Sequence, residues 1–192
     1  MSTRLPKAAL VALTVLAATI GPVASTRMAL AETAVAPEKN PPGDIPDSQV
    51  FIVYTAGSYV LKVPEGWART VTGGNVRFAS KLDGVSVTLT PVATAPSLEW
   101  VKAQYVSDLG QAGRAVIITG VSAETSLGEP AIRIEYSSNS DPNPVTNKQI
   151  RLENVRFLFF KSGMLAALDL YAPLGADNAD QWQLMSRSFA WR

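Results

Sequence analysis

Asp83-Gly84-Val85-Ser86-Val87-Thr88-Leu89-Thr90 is the stretch whose reading decides the fold class. Asp-Gly ahead of an alternating run is a strong hairpin signal, because the glycine takes the positive φ that a tight two-residue turn demands. Val85, Val87 and Leu89 then alternate with Ser86, Thr88 and Thr90. That period of two is the mark of a strand with one buried and one polar face.

The same grammar extends in both directions. Upstream, Val50–Thr55 and Tyr59–Val63 are β-rich and separated by Ala56-Gly57-Ser58. Pro64-Glu65-Gly66-Trp67 closes the second run, and Val76–Ser80 follows a Gly73-Gly74-Asn75 turn. Downstream, the period changes. Ser97 stands where a cap belongs and Glu99 in the first turn, where the helix dipole favours an anion. Leu98, Val101, Tyr105 and Leu109 share one helical face, and Gly110 is the expected stop. Four further strands are predicted over Ala115–Val121, Ala131–Ser137, Gln149–Lys161 and Met164–Ala172, with Ser162-Gly163 turning between the last two. Asp177 is expected to open a final helix, with Asp180 in a capping-box-like position and Trp182, Met185 and Phe189 on its buried face. Runs of antiparallel strands with two one-sided helices predict an α+β domain: an antiparallel sheet covered by two helices.

Four strand charges suggest a register. An antiparallel pairing of 131–137 with 149–156 sets Glu135 opposite Arg151, Arg133 opposite Glu153 and Ile134 opposite Leu152. Opposite charges across strands contribute roughly 0.2–1 kcal/mol each. The plain reading is register on a solvated face. The alternative makes Glu135 and Glu153 the acid and base of a hydrolase. Beyond Glu153 the alternation slips, since Ile150 and Leu152 are apolar at even positions but Val155, Phe157 and Phe159 at odd ones. A β-bulge near Asn154 and burial of the strand on both faces are the two explanations.

Composition excludes much. The 192 residues are 47% apolar and 17% charged, and include neither His nor Cys. Ser-His-Asp and Cys-His nucleophiles are therefore excluded, as are disulfides and the usual zinc, haem and iron–sulfur ligand sets. The near-neutral net charge of +1 argues against nucleic acid, which wants a basic face. Asn139, Asp141, Asn143 and Asn147 cluster in one Pro-containing loop, but turn chemistry accounts for them without the calcium-loop spacing. No cofactor or metal site is expected.

The first 31 residues read as a secretory signal peptide. Arg4 and Lys7 precede an uncharged run from Ala8, and Ala29-Leu30-Ala31 predicts a cut after Ala31. An uncleaved anchor is the alternative, and with it the sole membrane attachment expected; the run to Ala24 is at the short limit for a span. Removing 1–31 leaves 14 basic and 16 acidic residues, a net −2. Residues 32–48 hold Pro37, Pro41, Pro42, Gly43 and Pro46 and are expected to form a disordered linker. One domain is expected over 49–192.

Certain short motifs suggest relatives. A strand running into Val63-Pro64-Glu65-Gly66-Trp67, a helix opening Ser97-Leu98-Glu99-Trp100, and a closing helix from Asp180-Gln181-Trp182 through Ser188-Phe189-Ala190-Trp191 together resemble the PsbP-like superfamily. The resemblance covers about Val50 to Arg192 and is nearest to secreted LpqN-type proteins of actinobacteria. It implies an antiparallel sheet between helices and a non-enzymatic binding or assembly role outside the cytoplasm. The lipobox Cys of the lipoprotein members has no counterpart here, nor do the family's metal-binding His residues.

The expected function is thus a secreted, non-enzymatic cell-envelope binding or scaffolding domain, its partner an envelope protein or ligand that the sequence does not identify. Candidate contact residues are Trp67, Arg133, Glu135, Arg151 and Glu153, with Trp100 and Trp191 behind Trp67. The alternatives are a carrier of a lipid or small apolar ligand between sheet and helices, and a hydrolase using Glu135, Glu153 or Asp169.

Overall fold

The computed structural model describes residues 32–124 and 129–192. The expected leader, its cut after Ala31 and any anchor lie outside these residues. Among the described residues no helix is long and apolar enough to cross a membrane.

The strands form two antiparallel sheets. β1 (Phe51–Thr55), β2 (Tyr59–Pro64) and β10 (Ala190–Trp191) make the smaller, in the order β1-β2-β10. The larger runs β3-β4-β5-β9-β8-β7-β6. Its strands are β3 (Ala68–Thr72), β4 (Asn75–Ser80), β5 (Asp83–Pro91), β6 (Ile117–Glu124), β7 (Ala131–Asn139), β8 (Arg151–Lys161) and β9 (Met164–Pro173). Between β5 and β6 a continuous helical segment consists of α1 (Leu98–Trp100), a π-helical stretch (Val101–Tyr105) and α2 (Val106–Gln111). α3 (Ala179–Arg187) precedes β10. The expected α+β class with an antiparallel sheet and two helical coverings holds.

Strand parity builds two cores, one on each face of the larger sheet. Odd residues of β8 and even residues of β9 (Phe157, Phe159, Ala166, Leu168, Leu170) pack with β2, α3 and β10. Phe189 is the centre of this layer. It stacks on Phe159 with ring centroids 4.2 Å apart and on Tyr59 at 5.4 Å. On the other face Val101, Tyr105, Val106 and Leu109 cover Ile134, Tyr136, Leu158 and Leu165. This double burial explains the slipped alternation of β8. The ladders on both sides of Asn154 run without a register break, so there is no bulge there; the irregularity lies in β6, between Ile118 and Gly120.

Several expectations are corrected. Asp83-Gly84 is not the turn: both residues already pair in β5, opposite Ser80 and Ala79, and the positive φ falls at Lys81 (52°) instead. β3 was not foreseen, because Ala68-Arg69-Thr70-Val71-Thr72 is exposed throughout and carries no apolar rhythm. The final helix ends at Arg187, and Ala190-Trp191 is a short strand on β2. The first helix runs through Gly110 to Gln111, and the positive φ comes at Gly113 (101°). Ser97 caps α1 as expected, accepting from the Trp100 N–H at 3.1 Å. Asp177 and Asp180 form no capping box on α3. Asn178 occupies the cap position and directs its side chain elsewhere.

Its partners lie in the stretch expected to be a disordered linker. Residues 32–48 instead form a strap laid along the domain. Asn178 accepts from the Ile45 N–H at 2.6 Å and donates to the Gly43 carbonyl at 2.9 Å, while Ile45 is 4% exposed. At the strap's start the Asn139 side chain accepts from the Val35 N–H and donates to Glu32 and the Thr33 carbonyl. Composition alone misses this, because the strap buries one large side chain and is held by the amide side chains of residues far along the chain.

Candidate functional site

The face of the larger sheet that carries α3 opens into a cleft of about 440 Å³ toward the β6 edge. β7 supplies Arg133 and Glu135 to its floor, and β8 supplies Glu153, Val155 and Phe157. Trp182, Gln183, Ser186 and Arg187 of α3 form the opposite wall. The odd parity that sends Phe157 and Phe159 into the core sends these charges to the same side, further along the strands. The floor is thus mounted on two interior strands of a seven-stranded sheet, which fixes side-chain positions better than a loop does.

Charge on this floor is unevenly matched. Arg133 Nη2 and Glu135 Oε1 are 2.8 Å apart, along one strand rather than across two. Glu153 forms no ion pair among the described residues. Burial lifts its carboxyl above the ordinary range, and a hydrogen bond from the Gly175 backbone pulls the other way. Glu135 lies over Gly120, where a Cβ would stand 2.5 Å from Glu135 Oε2. A side chain at the β6 irregularity would therefore displace Glu135 from the cleft.

The expected register is corrected. Glu135 pairs with Val155, Arg133 with Phe157, Ile134 with Arg156, Ser137 with Glu153 and Asn139 with Arg151. The shift of four residues is even, so every side chain keeps its face. Its cause is apolar. The observed register brings Ile132 opposite Leu158 and Ala131 opposite Phe159. Burying one such side chain is worth about 1.5–3 kcal/mol, against roughly 0.2–1 for a cross-strand charge pair.

The cleft therefore gathers Arg133, Glu135 and Glu153 but not Arg151. That guanidinium is buried at the end of β8, 4% exposed. It donates to the Ser137 hydroxyl at 2.7 Å, the Ala115 carbonyl at 2.8 Å and Asn139 Oδ1 at 3.0 Å. Its role is to hold β7, β8 and the turn before β6 together. Trp67 is half-buried against the main core, away from the cleft, and Trp191 belongs to that core. Trp100 is 46% exposed on α1, with its ring 6.0 Å from that of Tyr105. Trp182, read from sequence only as part of a buried helix face, is the tryptophan that lines the cleft.

Asp169 lies on the opposite face of the sheet. Arg156 grips it with two hydrogen bonds, at 2.5 and 3.0 Å, and also donates to the Tyr105 hydroxyl at 3.1 Å. Burial works against the Arg156 charge, but the Asp169 carboxylate outweighs it and holds the guanidinium more firmly protonated. Burial and the Asp169 charge together push the Tyr136 phenol up. This is an ion pair roofed by the π-helical stretch that carries Tyr105. Among the described residues no group of acids stands ready to hold a metal ion.

Comparison with protein-family models and with curated proteins gives no match. Among solved structures, the chain is similar to the solution structure of the cyanobacterial PsbP protein CyanoP from Synechocystis sp. PCC 6803. The TM-score is 0.54 at 16% identity, covering 78% of this chain and 98% of that one. It also matches the Ran-binding protein Mog1p of Saccharomyces cerevisiae with a TM-score of 0.46 at 13% identity, over 74% of this chain and 96% of that one. What the first likeness establishes is the architecture: the chain has a PsbP-like α+β fold.

Proposed function

We propose that this protein is an exported, non-catalytic binding domain of the cell envelope, akin to the LpqN-type actinobacterial proteins, and that it recognises its partner through the cleft between α3 and the sheet. The observation that carries this reading is the pairing of Arg133 with Glu135 on a half-exposed strand surface facing Trp182. Polar groups held rigidly beside an aromatic wall suit recognition. Leader-like residues 1–31 support export. The hydrolase alternative is disfavoured because Glu135 is engaged by Arg133. The carrier alternative is disfavoured because Tyr59, Phe189 and Phe159 stack through the space between the layers.

The test is crosslinking and mass spectrometry of the protein with native envelope extract, beside an Arg133→Ala/Glu135→Ala variant. A specific envelope protein captured by the parent and lost from the variant is the expected result. An identical set of partners for both proteins would refute the assignment to this cleft. A co-purifying lipid or glycan in place of a protein would return weight to the carrier or the hydrolase.

A further inference from the structure

A second cleft, of about 620 Å³, opens on the other face of the larger sheet, at the end where the β4–β5 turn meets the loop between β7 and β8. Arg77, Lys81, Arg114 and Lys148 reach it from four different segments, against a single acid on its lining, Asp141. Residues 32–192 are net negative, with 14 basic and 16 acidic residues, so this concentration of cations runs against the balance of the chain.

The cations are held in place differently. Arg77 donates from Nε to the Tyr171 hydroxyl at 2.8 Å, with its guanidinium carbon 5.6 Å from the centre of that ring. Tyr171 in turn packs against Gly84, where a Cβ would stand 2.1 Å from its ring. Arg114 stands in a strained turn in which Arg114 and Ala115 take φ of 61° and 46° in succession. That turn is fixed from three directions. Glu32 accepts from the Arg114 N–H, the Arg114 carbonyl accepts from the Asn139 N–H, and the Ala115 carbonyl accepts from Arg151. Side chains without glycine's freedom persist at positive φ only where the surroundings over-determine them, and such positions cluster at binding sites. Arg114 is ion-paired with Asp141, whose side chain is 87% exposed, and at the longer distance of 3.9 Å with Glu32. A pair that exposed contributes little, so its cation remains available. Lys81 and Lys148 form no ion pair among the described residues.

We propose that this cleft binds a phosphate group carried on a partly apolar molecule. A single carboxylate engages one of these cations. A phosphate carries about −1.5 to −2 charges on three strong acceptor oxygens and engages several at once. Leu82, Pro142 and Ile150 supply apolar lining for what the phosphate is attached to. A phospholipid headgroup and a soluble phosphate ester share this chemistry.

The test compares the full-length protein with a Lys81→Glu/Lys148→Glu variant. Both lysines are exposed and their side chains form no ion pair among the described residues; because Lys81 eases the buried Asp83 carboxylate, a Lys148→Glu single variant is measured beside the double one, and equal melting temperatures of that variant and the parent confirm an intact fold. Amide chemical shifts are followed during titration with inorganic phosphate, and co-sedimentation is measured with phosphatidylcholine vesicles with and without phosphatidylglycerol. Binding by the parent that weakens with added salt and falls roughly tenfold or more in the variant is expected. Response to inorganic phosphate identifies a soluble source, and response only to vesicles containing phosphatidylglycerol identifies a lipid. Failure of the parent to bind either probe, or equal binding by the variant, overturns the proposal.

Discussion

Replacing Asp83 by asparagine is expected to stabilise the protein at neutral pH. Asp83 sits at the start of β5, 7% exposed, and its Oδ1 atom has no hydrogen-bond partner among the described residues. The strap crosses it closely: a Cβ on Gly43 would stand 2.8 Å from that same oxygen. Burial, and then the nearby Asp44 carboxylate, push the Asp83 carboxyl up from 3.8 to about 6, with Lys81 pulling it back in part. The folded protein therefore holds this proton more tightly than the unfolded chain does. Between pH of about 4 and 6 the folded state binds more protons, so stability falls as pH rises. The contribution is complete below about 4 and lost above about 6. A shift of this size corresponds to about 3 kcal/mol at most, and water at the turn reduces it to about 1–2 kcal/mol. Urea unfolding at pH 4, 5, 6 and 7.5 measures it. Asp83→Asn is expected to match the parent at low pH and exceed it by that amount at pH 7.5, with a flatter profile. A variant that loses stability between pH 4 and 7.5 as steeply as the parent, or is weaker at pH 7.5, would refute the reasoning.

Gly84→Ala is expected to cost about 1–3 kcal/mol, because the new Cβ would lie 2.1 Å from the Tyr171 ring. A thermal melt reads this as a clear drop in Tm, and an unchanged Tm would show that Tyr171 does not seat on the glycine. Arg151→Met is expected to cost about 2–3 kcal/mol by orphaning buried acceptors. Arg133→Met should cost less than about 1 kcal/mol, as for other partly exposed pairs; equal losses in urea unfolding would erase the distinction between the two arginines. Trp67→Ala should lower stability by about 1–3 kcal/mol through lost burial while leaving partner capture intact. The reverse outcome would make Trp67 a contact residue.

What was legible in the sequence was whatever repeated. Val85, Val87 and Leu89 announced their strand, and Trp182 and Met185 their helix face, because burial on one side imposes a period; Phe189, expected on the same face, is buried from beyond the helix end. β3 imposes none, since it lies at a sheet edge with both faces in water. The faces of Arg133, Glu135 and Glu153 were readable from parity, but their partners were not. Register was decided by Ile132 and Leu158 rather than by the charges. Arg151 misled for the same reason. Its parity matched its neighbours, yet burial at the strand end made it a structural donor. Trp182 was visible as an apolar helix residue. That it borders a cleft depends on how far α3 stands from the sheet, which no local pattern encodes.

The strap also sets an order of assembly. Val35 is held by a residue 104 positions away and Ile45 by one 133 away. Neither site exists until β7 and α3 are in place, and closing loops this long is slow compared with forming the hairpins around β5. The first residues of the described chain are therefore the last to find their partners. Until they do, Asn139 and Asn178 stand open, and any other extended segment offering free N–H and carbonyl groups competes for them. The early segment of this chain acts as a closing clasp, and any opening of it leaves the Asn139 and Asn178 side chains free for wrong pairing.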